Sequence, residues 1–158
     1  MGRSHSYVDR AFNRPDYDAE DQGTFDRNLV FVGMRMDAEA DAIFAAISRA
    51  CGGLGLHAKR VDDMSGSGIV LQEVADLIER AEFLVFDLSQ ERPNVYYELG
   101  YAHGVGNESD DILIVAREGT RIHFDVAPIR IHFYSDHQQL NEIAHRNLES
   151  MIRRTRRD

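Results

Sequence analysis

The chain has 158 residues, enough for one domain around one core. Its formal net charge of −9 argues against a surface that coats nucleic acid, because phosphate binding needs clustered Lys and Arg. A single cysteine, Cys51, excludes an intrachain disulfide, no Cys/His spacing suits zinc, and no apolar run approaches the ~20 residues that span a bilayer, so a cytoplasmic protein without metal or membrane partner is expected.

Residues 1–27 are polar, rich in Asp and Arg, and show no sustained period. They read as an N-terminal arm or disordered leader, with Tyr7, Phe12 and Tyr17 as docking points, ahead of a single domain over 28–158. Leu29-Val30-Phe31-Val32-Gly33 is a continuous apolar run and predicts a buried strand. Asp37 opens a helix with Ala38, Ile43, Phe44, Ile47 and Ala50 on its apolar side, and Gly52-Gly53 ends it. Cys51 reads as a small buried hydrophobe there. Leu54 to Val61 predicts a second strand ending at Asp62-Asp63. The Ser65-Gly66-Ser67-Gly68 loop then leads into a helix over Ile69–Arg80. Phe83-Leu84-Val85-Phe86 is the third strand and the most hydrophobic, followed by a loop and the helix of ERPNVYYELGYAHG. Ile112-Leu113-Ile114-Val115 is the fourth strand, Ile129–Tyr134 alternates like an edge strand, and a helix runs from His137 to Arg153. The closing Arg153-Arg154-Thr155-Arg156-Arg157 reads chiefly as a helix C-terminus complementing the dipole.

Strands alternating with helices imply an α/β three-layer sandwich with a parallel sheet and right-handed crossovers. Five strands in this length suit the flavodoxin-like order 2-1-3-4-5, whose ligands bind beyond the C-terminal ends of strands 1 and 3, where the winding reverses. That rule points to Gly33-Met34-Arg35 after strand 1 and Asp87-Leu88-Ser89 after strand 3. Several tenants of such a fold do not fit. A phosphate-accepting receiver needs an acidic pair after strand 1 and a lysine after the penultimate strand, yet Lys59 is the chain's one lysine. The Ser/Thr/Gly phosphate loop of a flavodoxin and the GxGxxG of a dinucleotide dehydrogenase are both missing after strand 1, and the Ser65–Gly68 loop lacks the GK[ST] ending of a P-loop.

What remains is Glu98. Pro93 and Asn94, a good N-cap, place it about one turn into a helix, where free N–H groups and the dipole favour its ionised form. An ionised carboxylate suits a nucleophile or a cation stabiliser; position alone leaves a mere dipole complement equally open. Gly33 permits close approach after strand 1. Arg35 either holds a phosphate or pairs with Asp37 or Glu39. Tyr97 would either stack on a ligand's ring or join the core, and Phe124, in the loop between the last strands, would line the base end of the pocket. A second acid, where one is needed, would come from Asp87 or from Asp62-Asp63; for each, a turn-capping role is the alternative. His103, His123 and His132 read as structural.

The segment from Phe86 to Gly104, with its Asn94-Val95-Tyr96-Tyr97-Glu98-Leu99-Gly100 element, resembles the nucleoside 2-deoxyribosyltransferase-like proteins. It equally resembles the TIR-like proteins with R-x-N-V-x-x-E-L-G. Val30-Phe31-Val32-Gly33-Met34-Arg35 and Phe124-Asp125-x-x-x-Ile129-Arg130 extend the likeness over residues 29–135. The resemblance implies N-glycosidic chemistry, in which the glutamate matching Glu98 attacks or stabilises the anomeric carbon of a ribosyl group. It implies NAD or a nucleoside or nucleotide as substrate, no cofactor, and a homo-oligomer, since such sites are often completed across subunits. Asp87 and Asn94 would orient Glu98 or the ribose, and Gly33, Met34 and Arg35 would form the floor and phosphate contact. Arg92 stands where the deoxyribosyltransferases keep an aspartate, which sets base exchange in nucleoside salvage behind hydrolysis. A non-catalytic module that senses a nucleotide or assembles through TIR-like contacts is the alternative from another class.

Overall fold

A computed structural model describes residues 25–61, 68–122 and 130–156. The Asp62-Asp63 pair, Ser65–Ser67, His123, Phe124 and all of the arm before residue 25 lie outside the described residues. Among those described, the strands are β1 (Asp26–Gly33), β2 (His57–Lys59), β3 (Ala81–Asp87), β4 (Ile112–Arg117) and β5 (His132–Tyr134). The helices are α1 (Ala40–Gly52), α2 (Gly68–Arg80), α3 (Pro93–Gly104) and α4 (His137–Thr155). All strand pairs are parallel and the order is β2-β1-β3-β4-β5, as expected for a flavodoxin-like α/β fold.

The two-residue period of the central strands builds two cores. Val30, Val32, Phe83 and Val85 face α1 and α4, where Ile43, Ile47, Leu140 and Leu148 meet them. Leu29, Phe31, Leu84 and Phe86 face α2 and α3, packing on Val74, Ile78, Val95 and Leu99. Every residue of β3 is buried, and each large apolar side chain so placed is worth roughly 1.5–3 kcal/mol. Cys51 is fully buried in the first core, and that burial pushes its thiol up to about 12, the behaviour of a small hydrophobe.

Several boundaries move. β1 begins at Asp26, with its pairing to β3 irregular between Asp26 and Val30. α1 begins at Ala40. Asp37 instead folds the preceding turn, accepting from the Glu39 N–H at 2.9 Å through its carboxylate and from the Ala40 N–H at 3.1 Å through its carbonyl, and Ala38 is exposed. β2 shrinks to three residues, because Leu54 and Leu56 both donate back to the Cys51 carbonyl at 2.9 Å and Gly55, at φ 74°, completes that turn. β5 is likewise three residues long, at the sheet edge. Of the basic tail, Arg153 pairs with Glu149, Arg154 with Asp111 and Arg156 with Glu82, and Arg157 lies outside the described residues.

Candidate active site

The winding reverses between β1 and β3, and Gly33 pairs with Phe86 at the C-terminal ends of those strands. The Phe86 ring, set edge-on to Phe31 with centroids 6.0 Å apart, closes over Gly33 from the α3 side. A β-carbon on Gly33 would stand 2.5 and 2.6 Å from two Phe86 ring atoms and 3.0 Å from Glu98 Oε2. Glycine is therefore required by close approach, and the Glu98 carboxylate rests against the last turn of backbone in β1.

α3 delivers that carboxylate. Arg92, at φ −73° and ψ 122°, is the N-cap and makes no side-chain cap bond; Pro93 takes the first helical position. Asn94 is thus the second helical residue, exposed, and not the cap that the sequence suggested. Val95, Leu99 and Ala102 anchor α3 to the sheet, leaving Glu98 half-buried beside that stripe. Glu98 is the sixth helical residue, beyond the free N–H groups of the first turn, so the dipole reaches it weakly. No hydrogen bond or ion pair reaches its carboxylate among the described residues. Burial sets its pKa and raises it from 4.5 to about 7. The expectation of a firmly ionised carboxylate is corrected: desolvation outweighs the dipole, and near neutral pH Glu98 is present in both forms.

Asp87 lies elsewhere. It continues the alternation of Phe83 and Val85, so its side chain faces α4, across the sheet from Glu98. It is fully buried. Oδ1 accepts from the Ser89 N–H at 2.9 Å and from Ser89 Oγ at 2.6 Å, while Oδ2 accepts from Tyr134 Oη at 2.9 Å. The Arg117 N–H donates to Ser89 Oγ at 2.8 Å, tying the end of β4 into the same cluster. Burial, and after it the Asp87 charge, pushes Tyr134 up to about 12. Both Asp87 oxygens are committed, which corrects the expectation that Asp87 turns toward Glu98; its bonds clamp the β3 turn onto β5. Asp87→Asn, which sets an amide N–H₂ against these donors, is expected to cost about 2–3 kcal/mol in urea unfolding.

Arg35 is buried, at 2 % exposure, and is held by two carboxylates: Nε lies 2.8 Å from Asp37 Oδ2 and Nη2 lies 3.0 Å from Glu39 Oε2. Of the two roles open to it, the ion pair is observed, with both acids at once. Glu39 also meets Arg117 Nη2 at 3.3 Å. Gln90 bridges the network when its amide is oriented to suit both neighbours, accepting from Arg35 Nη1 at 3.0 Å and donating to Asp37 Oδ2 at 3.2 Å. Gln90 sits at φ 64°, a left-handed conformation that costs a side-chain-bearing residue energy and that recurs at ligand sites. Arg35, Glu39, Ser89, Gln90, Arg117 and Thr120 line a cleft of about 170 Å³. Met34 turns away into the α1–α4 core, so only its backbone faces the rim. Tyr97 is 57 % exposed, which removes it from the core and leaves its ring free on α3. The structure thus brings Gly33 and Glu98 together at the switch point and sets Arg35 in the neighbouring cleft with Ser89, Gln90 and Arg117, with Asn94 and Tyr97 on the outer surface of α3.

Ser89 was named at the end of strand 3 without a role, whereas Phe86, Gln90, Arg117 and Tyr134 were not singled out as site residues from sequence. The D-x-S spacing of Asp87 and Ser89 signals an Asx turn and R-x-x-x-E marks the Arg35–Glu39 pair, whereas nothing about a glutamine announces a left-handed backbone.

No protein-family model matches the chain. No curated protein sequence matches it either. Solved structures do. A diflavin flavoprotein A3 from Nostoc sp. aligns with a TM-score of 0.57 at 14% identity, over 81% of this chain and 96% of that one. The CMP N-glycosidase BcmB of Clostridium botulinum aligns with a TM-score of 0.58 at 12% identity, over 72% of this chain and 94% of that one. A flavodoxin-like domain from Synechococcus sp. aligns with a TM-score of 0.53 at 18% identity, over 78% and 99%. The chain is a flavodoxin-like α/β protein. Among the described residues, no helix is long and apolar enough to cross a membrane, and no group of His, Cys, Asp and Glu is placed to hold a metal ion.

Proposed function

We propose that the protein cleaves, or transfers at, the N-glycosidic bond of NAD or of a nucleoside or nucleotide, with Glu98 as its working carboxylate. The observation that carries this reading is a half-buried carboxylate without a partner among the described residues, resting on Gly33 at the switch point, with its pKa raised to about 7. A glutamate kept for structure would be expected to hold a hydrogen bond or an ion pair; Asp87 in the same protein holds three hydrogen bonds. The Asn94–Gly100 element and the fold shared with a CMP N-glycosidase support the same chemistry.

In this reading the bond from the anomeric carbon to the base nitrogen breaks and its electron pair leaves with the base. The ionised form of Glu98 attacks or stabilises the oxocarbenium-like carbon, and water or a second base completes the exchange. A cationic nicotinamide ribosyl group beside Glu98 would draw its pKa down and favour that form, and nicotinamide then departs neutral without a proton. A neutral nucleoside gives no such assistance and requires proton delivery to its base. The committed oxygens of Asp87 leave it a positioning part, holding the β3 turn that carries Ser89 and Gln90. The reading takes no flavin: the loop after β1 presents Asp37 and Glu39, closed on Arg35, where a flavodoxin offers hydroxyls and free N–H groups to a phosphate.

Incubation with NAD and a panel of nucleosides and nucleotides, with chromatography for released base, tests this. Release that falls by about three orders of magnitude in Glu98→Gln is expected. For NAD, kcat/KM should rise with pH through about 7, the value at which free Glu98 ionises. Absence of release from every substrate, or release unchanged in Glu98→Gln, removes the reading.

A further inference from the structure

We propose that the cleft between β5 and α4 is a second ligand site, one that takes the phosphate group of a small phosphorylated molecule. The cleft is about 410 Å³, within the range of small-molecule sites, and lies at the outer edge of the sheet. Arg130 and His132 enter it from the β5 segment, on the same side as the buried Tyr134, which packs toward α4. Gln139, Glu142 and Arg146 enter it from α4, at the i, i+3, i+7 spacing of one helical face. This is the α1–α4 face of the sheet; Glu98 belongs to the other, so the cleft is not an extension of the site described above.

Its chemistry is that of an anion host. Arg35, Arg60, Arg80, Arg117, Arg153, Arg154 and Arg156 each hold a carboxylate. The Arg130 and Arg146 side chains hold no ion pair or hydrogen bond among the described residues; the same is true of Arg27, Arg49 and Arg121, but Arg130 and Arg146 line one cleft together. Both guanidinium groups bear on His132: burial first, then Arg130 and Arg146, hold its imidazole below the ordinary histidine range. Gln139 commits Oε1 to Ser135, accepting from its N–H at 2.6 Å and from its hydroxyl at 2.8 Å, which leaves the amide N–H₂ as a donor. Glu142 is the one carboxylate lining the cleft; it takes a 3.4 Å bond from Gln138 and does not close on Arg146, four residues on. Two forked guanidinium groups facing one imidazole repel each other until an anion enters, and a phosphate oxygen set matches that fork. The cleft exceeds what a bare ion fills, which favours a phosphate carried on a small organic body over free phosphate.

The test is titration of the full chain with inorganic phosphate and, separately, with ribose 5-phosphate, following the imidazole resonances of His132 by NMR. A saturable shift is expected, tighter for ribose 5-phosphate. The double variant Arg130→Gln/Arg146→Gln should bind at least about tenfold more weakly, while Glu142→Gln, which removes the opposing charge, should bind more tightly. Arg130, Glu142 and Arg146 are all exposed, so these substitutions spare the core. Equal binding of the two probes would identify free phosphate as the source of the same chemistry. No saturable shift, or an affinity unchanged in the double variant, overturns the proposal.

Discussion

Glu98→Gln is expected to make the protein more stable, and only above acidic pH. The folded carboxyl group titrates near 7, against 4.5 for an unperturbed glutamate. Below about pH 4.5 both folded and unfolded chains hold the proton, and Gln and Glu are nearly equivalent there. Between these values the folded chain binds more protons than the unfolded one, so wild-type stability falls as pH rises. Above about 7 both forms are ionised and the loss is complete. A shift of this size corresponds to about 2 kcal/mol once the partial exposure of the side chain is allowed for. The glutamine amide carries no charge and escapes that loss. Urea unfolding of both proteins at about pH 4 and about pH 8 measures it, with a gain of about 2 kcal/mol expected in the alkaline arm alone. A difference that does not depend on pH would show that Glu98 finds a partner for its charge. A carboxylate that weakens the fold at the pH where it is kept is the signature of a residue retained for function. This measurement needs no substrate, so it stands whether or not base release is found.

The architecture was legible because long runs with a clear period carried it. β3 and β4 are continuous apolar stretches, and α1, α2 and α4 carry one-sided stripes; from these the 2-1-3-4-5 sheet and its switch point followed. Gly33, Arg35 and Glu98 were singled out by asking what the chain places beyond strands 1 and 3. The misreadings share a cause. β2 and β5 are edge strands; the start of β2 yields to the turn bonds closing on Cys51, and periodicity does not register a turn bond, while Ile129, where the fifth strand was expected to begin, lies outside the described residues. Asp87 was placed at the right end of the right strand, and of its two roles the turn-capping one is observed, because the alternation along β3, which sequence does not anchor to a face, turns it toward α4. The charge state of Glu98 was inferred from the dipole because sequence shows where a helix begins. It does not show how much water the surrounding side chains exclude, and at Glu98 that exclusion wins.

Gly33→Ala should be the most damaging one-carbon change at the switch point. Two of the three contacts awaiting the new β-carbon are ring atoms of Phe86, at 2.5 and 2.6 Å. That ring is fully buried and held edge-on to Phe31, so it has nowhere to turn. Overpacking of this kind costs about 1–3 kcal/mol. The third contact, Glu98 Oε2 at 3.0 Å, is the end of a flexible side chain and yields at little cost, but in yielding it leaves its place against β1. A displacement near 1 Å would lower base release by about 100-fold beyond any loss of folded protein. Gly100→Ala is the matched control. It lies two residues from Glu98 on α3, with nothing within 4 Å of its β-carbon position, and should gain about 0.5–1 kcal/mol as an interior helix glycine replaced by alanine. Combining Gly33→Ala with Glu98→Ala separates the two contacts, because truncation, unlike the isosteric Glu98→Gln, removes the side-chain atom that the new β-carbon would meet. Stability loss that persists in the double variant belongs to Phe86, whereas loss largely relieved there would assign the close packing to the carboxylate instead.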